Sequence, residues 1–239
     1  MRQKACLAVF VILLCFAISA CSGSLDDFLK NTIQSSQSGP TEATIISGLK
    51  EALKIGTQNT VTTVSKMDGY FANESIKIPM PEKFRQVSTV LGSLGFQQQV
   101  DDFVLSMNRA AERAAPKATA CLVDAITEMS FEDAKNILNG GDTAATDYFR
   151  MKATDTLYEA FEPIVVSAMD EVGVTRYYRQ IVERYEAVPF MTIQPLDLDA
   201  YVTNGALDGL FYMVAQEEKK IRTDPAARVT ELLKTVFGK

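Results

Sequence analysis

The sequence predicts an all-α domain of roughly eight helices behind a lipidated N-terminal tether. Three observations carry that prediction. Apolar residues recur at three- and four-residue spacing through most of residues 41–239, the period of a helix with one buried face. No segment combines β-branched alternation with hairpin turns. The chain opens on an export signal followed by a polar stretch.

Taken in order, Ile45, Leu49, Leu53, Gly56, Thr60 and Val64 form the first stripe, with Glu51, Lys54 and Gln58 elsewhere on the wheel. Asp68-Gly69 and Asn73 break it. The two prolines of IKIPMPEKF make that segment an extended approach rather than a sheet strand. Pro81 stands where the first residue of a helix running toward Leu91 is expected. After Gly92 and Gly95, the stripe Phe96, Val100, Phe103, Val104, Met107, Ala111, Ala114 marks a long helix. Pro116 interrupts it, and Cys121, Leu122, Ala125, Ile126 and Met129 continue it. Ser130 and Asp133 form a capping box with Asp in place of Glu, opening a short helix to Leu138.

The next helix carries Phe149, Leu157, Phe161, Val165 and Met169, with a kink expected at Pro163 and a stop at Gly173. Val174, Tyr178, Ile181 and Tyr185 define another. Beyond the loop from Pro189 to Pro195, residues Leu198, Val202, Ala206, Leu210, Met213 and Val214 make a face wide enough to be buried on more than one side. A cap from Asp197 or Asp199 starts this helix, and Gly205 and Gly209 are expected to admit a neighbouring helix closely. Asp224-Pro225 is a cap followed by a first-turn proline, predicting a last helix with Val229, Leu232, Leu233 and Val236 inward.

The N-terminus sets the destination. Arg2 and Lys4 precede an apolar run from Ala5 to Ala17, and Ile18-Ser19-Ala20-Cys21 resembles the bacterial lipobox. Residues 1–20 are then a lipoprotein signal peptide, and Cys21 becomes the lipid-bearing first residue of the mature protein. Residues 21–40 are a lipidated cysteine and flexible tether, polar except for a weak helical turn around Leu25 to Ile33. The membrane is the expected partner, through the lipid on Cys21. Ser22 after that cysteine suggests the periplasmic face of the outer membrane in a Gram-negative host. Residues 41–239 form the one folded domain.

Export leaves 22 basic against 30 acidic side chains, a formal net charge of −8. With no histidine anywhere, such a chain is a poor ligand for nucleic acid. The same absence removes Ser-His-Asp, Cys-His and HExxH chemistry and the commonest zinc ligand. Neither a catalytic residue nor a cofactor is assigned. Cys121, the one thiol left after export and lipidation, is expected to be a core residue. Asp197-Leu198-Asp199 through Asp208 fails as a calcium loop, since Val202 stands where glycine must make the turn and Asp208 where glutamate must ligate. The adjacent carboxylates Asp101 with Asp102, Glu132 with Asp133, and Glu217 with Glu218 diverge on a helix and read as solvated or N-terminal charges. The tyrosines of RYYRQIVERY, residues 176–185, fall on an apolar stripe and are expected in the core.

Two polar groups stand out. Asn108, Arg109 and Glu112 lie on an alanine-rich helix. An i,i+3 ion pair between Arg109 and Glu112 is the plain reading, and a buried Arg109 with Asp142 and Asp147 as partners is the sharper one. Residues 139–149, NGGDTAATDYF, resemble a phosphate-binding or metal-binding loop, but no P-loop lysine follows. They read better as a helix-to-helix corner: Gly140 or Gly141 supplies a left-handed stop, and Asp142 or Thr143 caps the next helix. Asp142, Thr143 and Asp147 remain candidates for a ligand role.

MNRAAE at 107–112, DAKNILNGGDTAATDYF at 133–149, LDLDAYVTNGALDGLF at 196–211 and EEKKIRTDPAAR at 217–228 resemble a family of bacterial lipoproteins catalogued as domain-of-unknown-function family four-one-nine-seven. The resemblance spans almost the whole mature domain. It implies export and lipid anchoring, and brings no activity, cofactor or partner. A lipid-anchored binding or interaction module of the cell envelope is therefore the expected function. The alternatives are an enzyme using carboxylates, marked by converging Asp and Glu in a cleft, and a carrier of a hydrophobic ligand, marked by a large apolar cavity.

Overall fold

A computed structural model describes residues 41–190 and 196–237, without the side chains of 232, 235 and 236. The signal peptide, Cys21 and the tether lie outside the described residues, as do the end of the Pro189 to Pro195 loop and the inward placing of Leu232 and Val236. Among the described residues the fold is all-α: α1 (Glu42–Val64), α2 (Arg85–Ser93), α3 (Gln97–Ala114), α4 (Ala118–Glu128), α5 (Phe131–Asn139), α6 (Ala144–Val172), α7 (Val174–Glu186), α8 (Leu198–Thr223) and α9 (Glu231–Phe237). Residues from Ala43 onward make one compact unit. No described helix is long and apolar enough to cross a membrane.

Helices α3, α6 and α8 form the centre, each packed against the other two. Fully buried Phe103 and Met107 of α3, Phe149, Leu157 and Phe161 of α6, and Leu210 and Phe211 of α8 lie in one continuous core. α8 is buried along Val202, Thr203, Ala206, Leu207, Leu210 and Val214, so its wide face meets neighbours on more than one side. α7 completes the core with Val174, Ile181 and Tyr185, while Tyr178 packs near Phe84 and Phe103 at ring separations of 5.5 and 6.2 Å. The tyrosines of the 176–185 segment thus serve packing.

Local signals set most boundaries. Ser130 Oγ accepts the Asp133 N–H at 3.1 Å while the Ser130 N–H donates to Asp133 Oδ2 at 3.0 Å, the reciprocal box that starts α5. These bonds from Ser130 hold the Asp133 carboxyl below its usual range. Asp197, not Asp199, caps α8 by accepting the Ala200 N–H. Gly173 adopts φ 82° between α6 and α7, a left-handed stop that a side chain would resist. Pro116 lies in the 3-10 turn Ala115–Lys117 separating α3 from α4. α6 runs unbroken through Pro163.

Other expectations shift. Pro81 precedes a 3-10 turn, Glu82–Phe84, and α2 begins only at Arg85. Asp224 accepts the Ala226 N–H, yet the turn it opens ends at Ala227, so the last helix starts at Glu231 and Val229 is 68 % exposed. Cys121 is only partly buried at the edge of the core; burial, then Asp124, pushes its thiol up, away from the reactive thiolate.

Candidate functional site

The segment between α1 and α2 is a strap lying across α3 and α8. Two side chains of α3 hold its backbone. Asn108, fully buried, accepts the Ile78 N–H and donates to the Ile78 carbonyl, both at 2.8 Å. Glu112, 4 % exposed, accepts the N–H groups of Tyr70 and Phe71 at 3.1 and 3.2 Å. From the other side the Tyr70 hydroxyl donates to the Ala206 carbonyl of α8 at 2.7 Å. Burial, then the Glu112 carboxylate, pushes that phenol up, so it remains a donor. Gly205 and Gly209 face Ile78, Ile76 and Tyr70. The close neighbour they admit is therefore the strap, not a helix.

Arg109 bridges Glu112 at 2.6 Å and Asp68 of the strap at 2.7 Å. Burial acts to lower its guanidinium, but the hydrogen bonds to the two carboxylates outweigh it and leave it raised. The expected partners Asp142 and Asp147 belong to a different region, so the two candidate clusters are not one. Asn108, Arg109 and Glu112 fasten the strap, an assignment that needs partners 30 to 42 residues away.

The corner at 139–149 is built by α8. Glu218, buried near the end of that helix, accepts the Ala145 and Thr146 N–H groups and the Thr146 hydroxyl, each at 2.9 Å. Arg222, one turn on, donates to Glu218 and also to the Ile137 carbonyl at the end of α5. One ion pair thus closes both helix ends that meet at the corner. Thr143 precedes α6 but makes no side-chain cap, its hydroxyl reaching Asp147 at 3.4 Å instead. Neither glycine is left-handed: Gly140 has φ −81°, and the positive-φ glycines among the described residues are Gly95 and Gly173. Gly140 is required for room, since a Cβ there would meet Ala144 Cβ at 2.5 Å.

Strap, corner and α8 enclose an open groove of about 720 Å³. Thr143 lines it from the corner, Asp147 and Arg150 from α6, Ser75 to Pro79 from the strap, and a stripe from Tyr201 to Ala215 from α8. Of the sequence candidates, Thr143 and Asp147 reach it; Asn108, Arg109, Glu112 and Asp142 do not line it. Arg150 stands 4.6 Å over the Phe211 ring and 3.6 Å from Asp208. Tyr201 donates to the Pro79 carbonyl, and burial, then Glu82, raises its phenol.

The backbone donors of the strap edge and of the first turn of α6 are spent. In the first turn of α6, Ala144 donates to Gly141, Ala145 and Thr146 to Glu218, and Asp147 to Thr143. On the strap, Ser75 donates to Asn73 Oδ1, Ile76 and Lys77 to the Asn73 carbonyl, and Ile78 to Asn108, while Pro79 has no N–H. A phosphate cradle at the corner would need the donors that Glu218 occupies.

Among the described residues no group of three or more Cys, Asp and Glu could hold a metal ion. A smaller pocket of about 260 Å³ beside Cys121 and Tyr148 is lined by Asp124, Glu128, Asp133 and Lys152. Two apolar pockets between α1 and α8 hold only about 10 Å³ each, the room of a single water rather than an acyl chain.

Fold and groove together define a single helical domain with a side-chain-lined cleft. The chain belongs to the family described as Protein of unknown function (DUF4197), whose model matches residues 39–238. No curated protein and no solved structure matches it.

Proposed function

We propose that this protein is an exported lipoprotein, anchored through lipid on Cys21, whose helical domain is a binding module with the groove as its recognition surface. One observation carries the reading. DTAATDYF and YVTNGALDGLF, parts of two of the motifs on which the family resemblance rests, belong to different helices, α6 and α8, and line the same cleft. Their polar side chains there, Asp147, Asn204 and Asp208, are exposed, and their partners, Thr143, the Ala200 carbonyl and Arg150, leave each with hydrogen-bonding capacity to spare. A 720 Å³ cleft falls within the range of small-ligand sites. The tether lets the cleft work at a distance from the bilayer, at the periplasmic face of the outer membrane in a Gram-negative host.

The module acts by binding rather than by catalysis, because its exposed carboxylates lack the partnered base that histidine supplies elsewhere. Two measurements test the proposal together. Labelling cells with radioactive palmitate should mark the wild-type protein and not Cys21→Ser, which should also leave the membrane fraction. A photo-crosslinking amino acid at Tyr212, in the groove, should capture adducts in living cells at several times the yield of one at Leu94, which is exposed outside it. Palmitate retained by Cys21→Ser would overturn the anchor. Equal yields at the two positions would overturn the recognition surface.

A further inference from the structure

We infer that the groove binds a neutral, hydroxyl-rich ligand, a short oligosaccharide. This deepens the reading of the groove as a recognition surface and rests on it. The strap offers an extended edge beside the cleft, and such an edge commonly receives a peptide by strand addition. That mode needs N–H donors, and every one from Ser75 to Ile78 is already bonded within the protein. The corner resembles an anion site, but the N–H groups of Ala144 to Asp147, the first turn of α6, are held by Gly141, Glu218 and Thr143. The strap edge and the first turn of α6 are thereby closed to main-chain recognition.

What remains is side-chain chemistry of both signs in equal measure. Lys77 and Arg150 face Asp147 and Asp208, so neither a cation nor an anion is favoured by net charge. Carboxylates accept, guanidinium and ammonium donate, and the Asn204 amide, which gives one N–H to the Ala200 carbonyl, still offers its oxygen and its second N–H. A ligand carrying many hydroxyls satisfies each, because every hydroxyl is donor and acceptor at once. The surface on α8 has matching form. Tyr201, Asn204, Asp208 and Tyr212 follow one another at helical spacing along the groove wall. From first to last they span about 16 Å, the length of roughly three linked pyranose rings. Tyrosines at the two ends offer ring faces for the C–H faces of sugars, with hydrogen-bonding groups between.

The test uses the full-length lipidated protein in a detergent without a sugar headgroup, titrated calorimetrically with chitotriose and with maltotriose. At least one should bind saturably, and Asp208→Ala and Asn204→Ala should each weaken it at least about tenfold. Leu94→Ala should leave it unchanged. Both groove residues are exposed, so the substitutions spare the core, and unchanged melting curves would verify that. Absence of saturable binding of either sugar up to about 10 mM would overturn the inference, as would binding indifferent to both groove substitutions. Adducts from position 212 that contain protein alone, with neither sugar bound, would overturn the oligosaccharide while leaving the groove as a recognition surface.

Discussion

Glu218 shows how much of this fold one side chain can hold. It is 7 % exposed and answers two backbone N–H groups, a hydroxyl and a guanidinium. Removing it by Glu218→Ala strands buried donors and leaves Arg222 without its carboxylate, with a cost of about 3 to 5 kcal/mol. Glu218→Gln keeps one accepting oxygen but turns an amide N–H toward groups that already donate, so it recovers only part of the loss. Arg222→Met gives up the Ile137 carbonyl and the ion pair but leaves the carboxylate its three hydrogen bonds to α6, so its loss is smaller, on the order of 2 kcal/mol. Denaturant unfolding of the three variants checks the order. Equal losses for Glu218→Ala and Arg222→Met would mean that the pair acts through charge alone and not as a helix cap.

At the scale of elements, glycines of α1 and α8 divide by what stands opposite them. A Cβ at Gly209 would lie 2.6 Å from Tyr70 Cε1, on a ring pinned by its bond to Ala206. Gly209→Ala should therefore destabilise by about 1 to 3 kcal/mol despite the gain in helix propensity. At Gly205 the nearest atom is 3.2 Å away on the Ile78 side chain, which can yield, so the two effects nearly cancel. At Gly56 the contacts are ordinary, 3.6 Å from Glu217 and Ile221, and Gly56→Ala should stabilise by about 0.5 to 1 kcal/mol. Thermal melts of the three would show this order, and a stable Gly209→Ala would mean that the strap is not fixed against α8.

The helices were legible in the sequence because each states its own period and several state their own ends, as Ser130, Asp197 and Gly173 do. The strap fasteners and the corner clamp were not, because their partners lie 30 to 85 residues apart. A signal did exist. Glu218 stands four residues after Val214 and three before Ile221, on the buried face of α8, and an acid in that phase must find buried partners. Reading it beside Glu217 as a solvated pair overlooked that phase. The corner side of the groove was foreshadowed at Thr143 and Asp147, while Arg150, Asn204 and Tyr212 join it only through the tertiary approach of α6 and α8.

Across the whole molecule, the main core runs through α3, α6, α7 and α8, and a smaller cluster lies apart from it: Ala52, Ile221 and Leu233, flanked by Ile55, Ala227 and Phe237. Among its described side chains, α9 is held by the fully buried Leu233 and by Phe237, which packs against both clusters and sits 5.8 Å from the Arg222 guanidinium. A helix of seven residues has no stability of its own, so its order is that of its docking. Leu233→Asp should undock it as a local event. Amide exchange in Glu231–Phe237 should accelerate to near unfolded rates while α3, α6 and α8 keep their protection. Exposure of the clamp beneath Phe237 should add a smaller acceleration at Ala145 and Thr146, whose N–H groups Glu218 holds. Simultaneous loss of protection in every helix would instead make α9 part of the cooperative core, and the two clusters one.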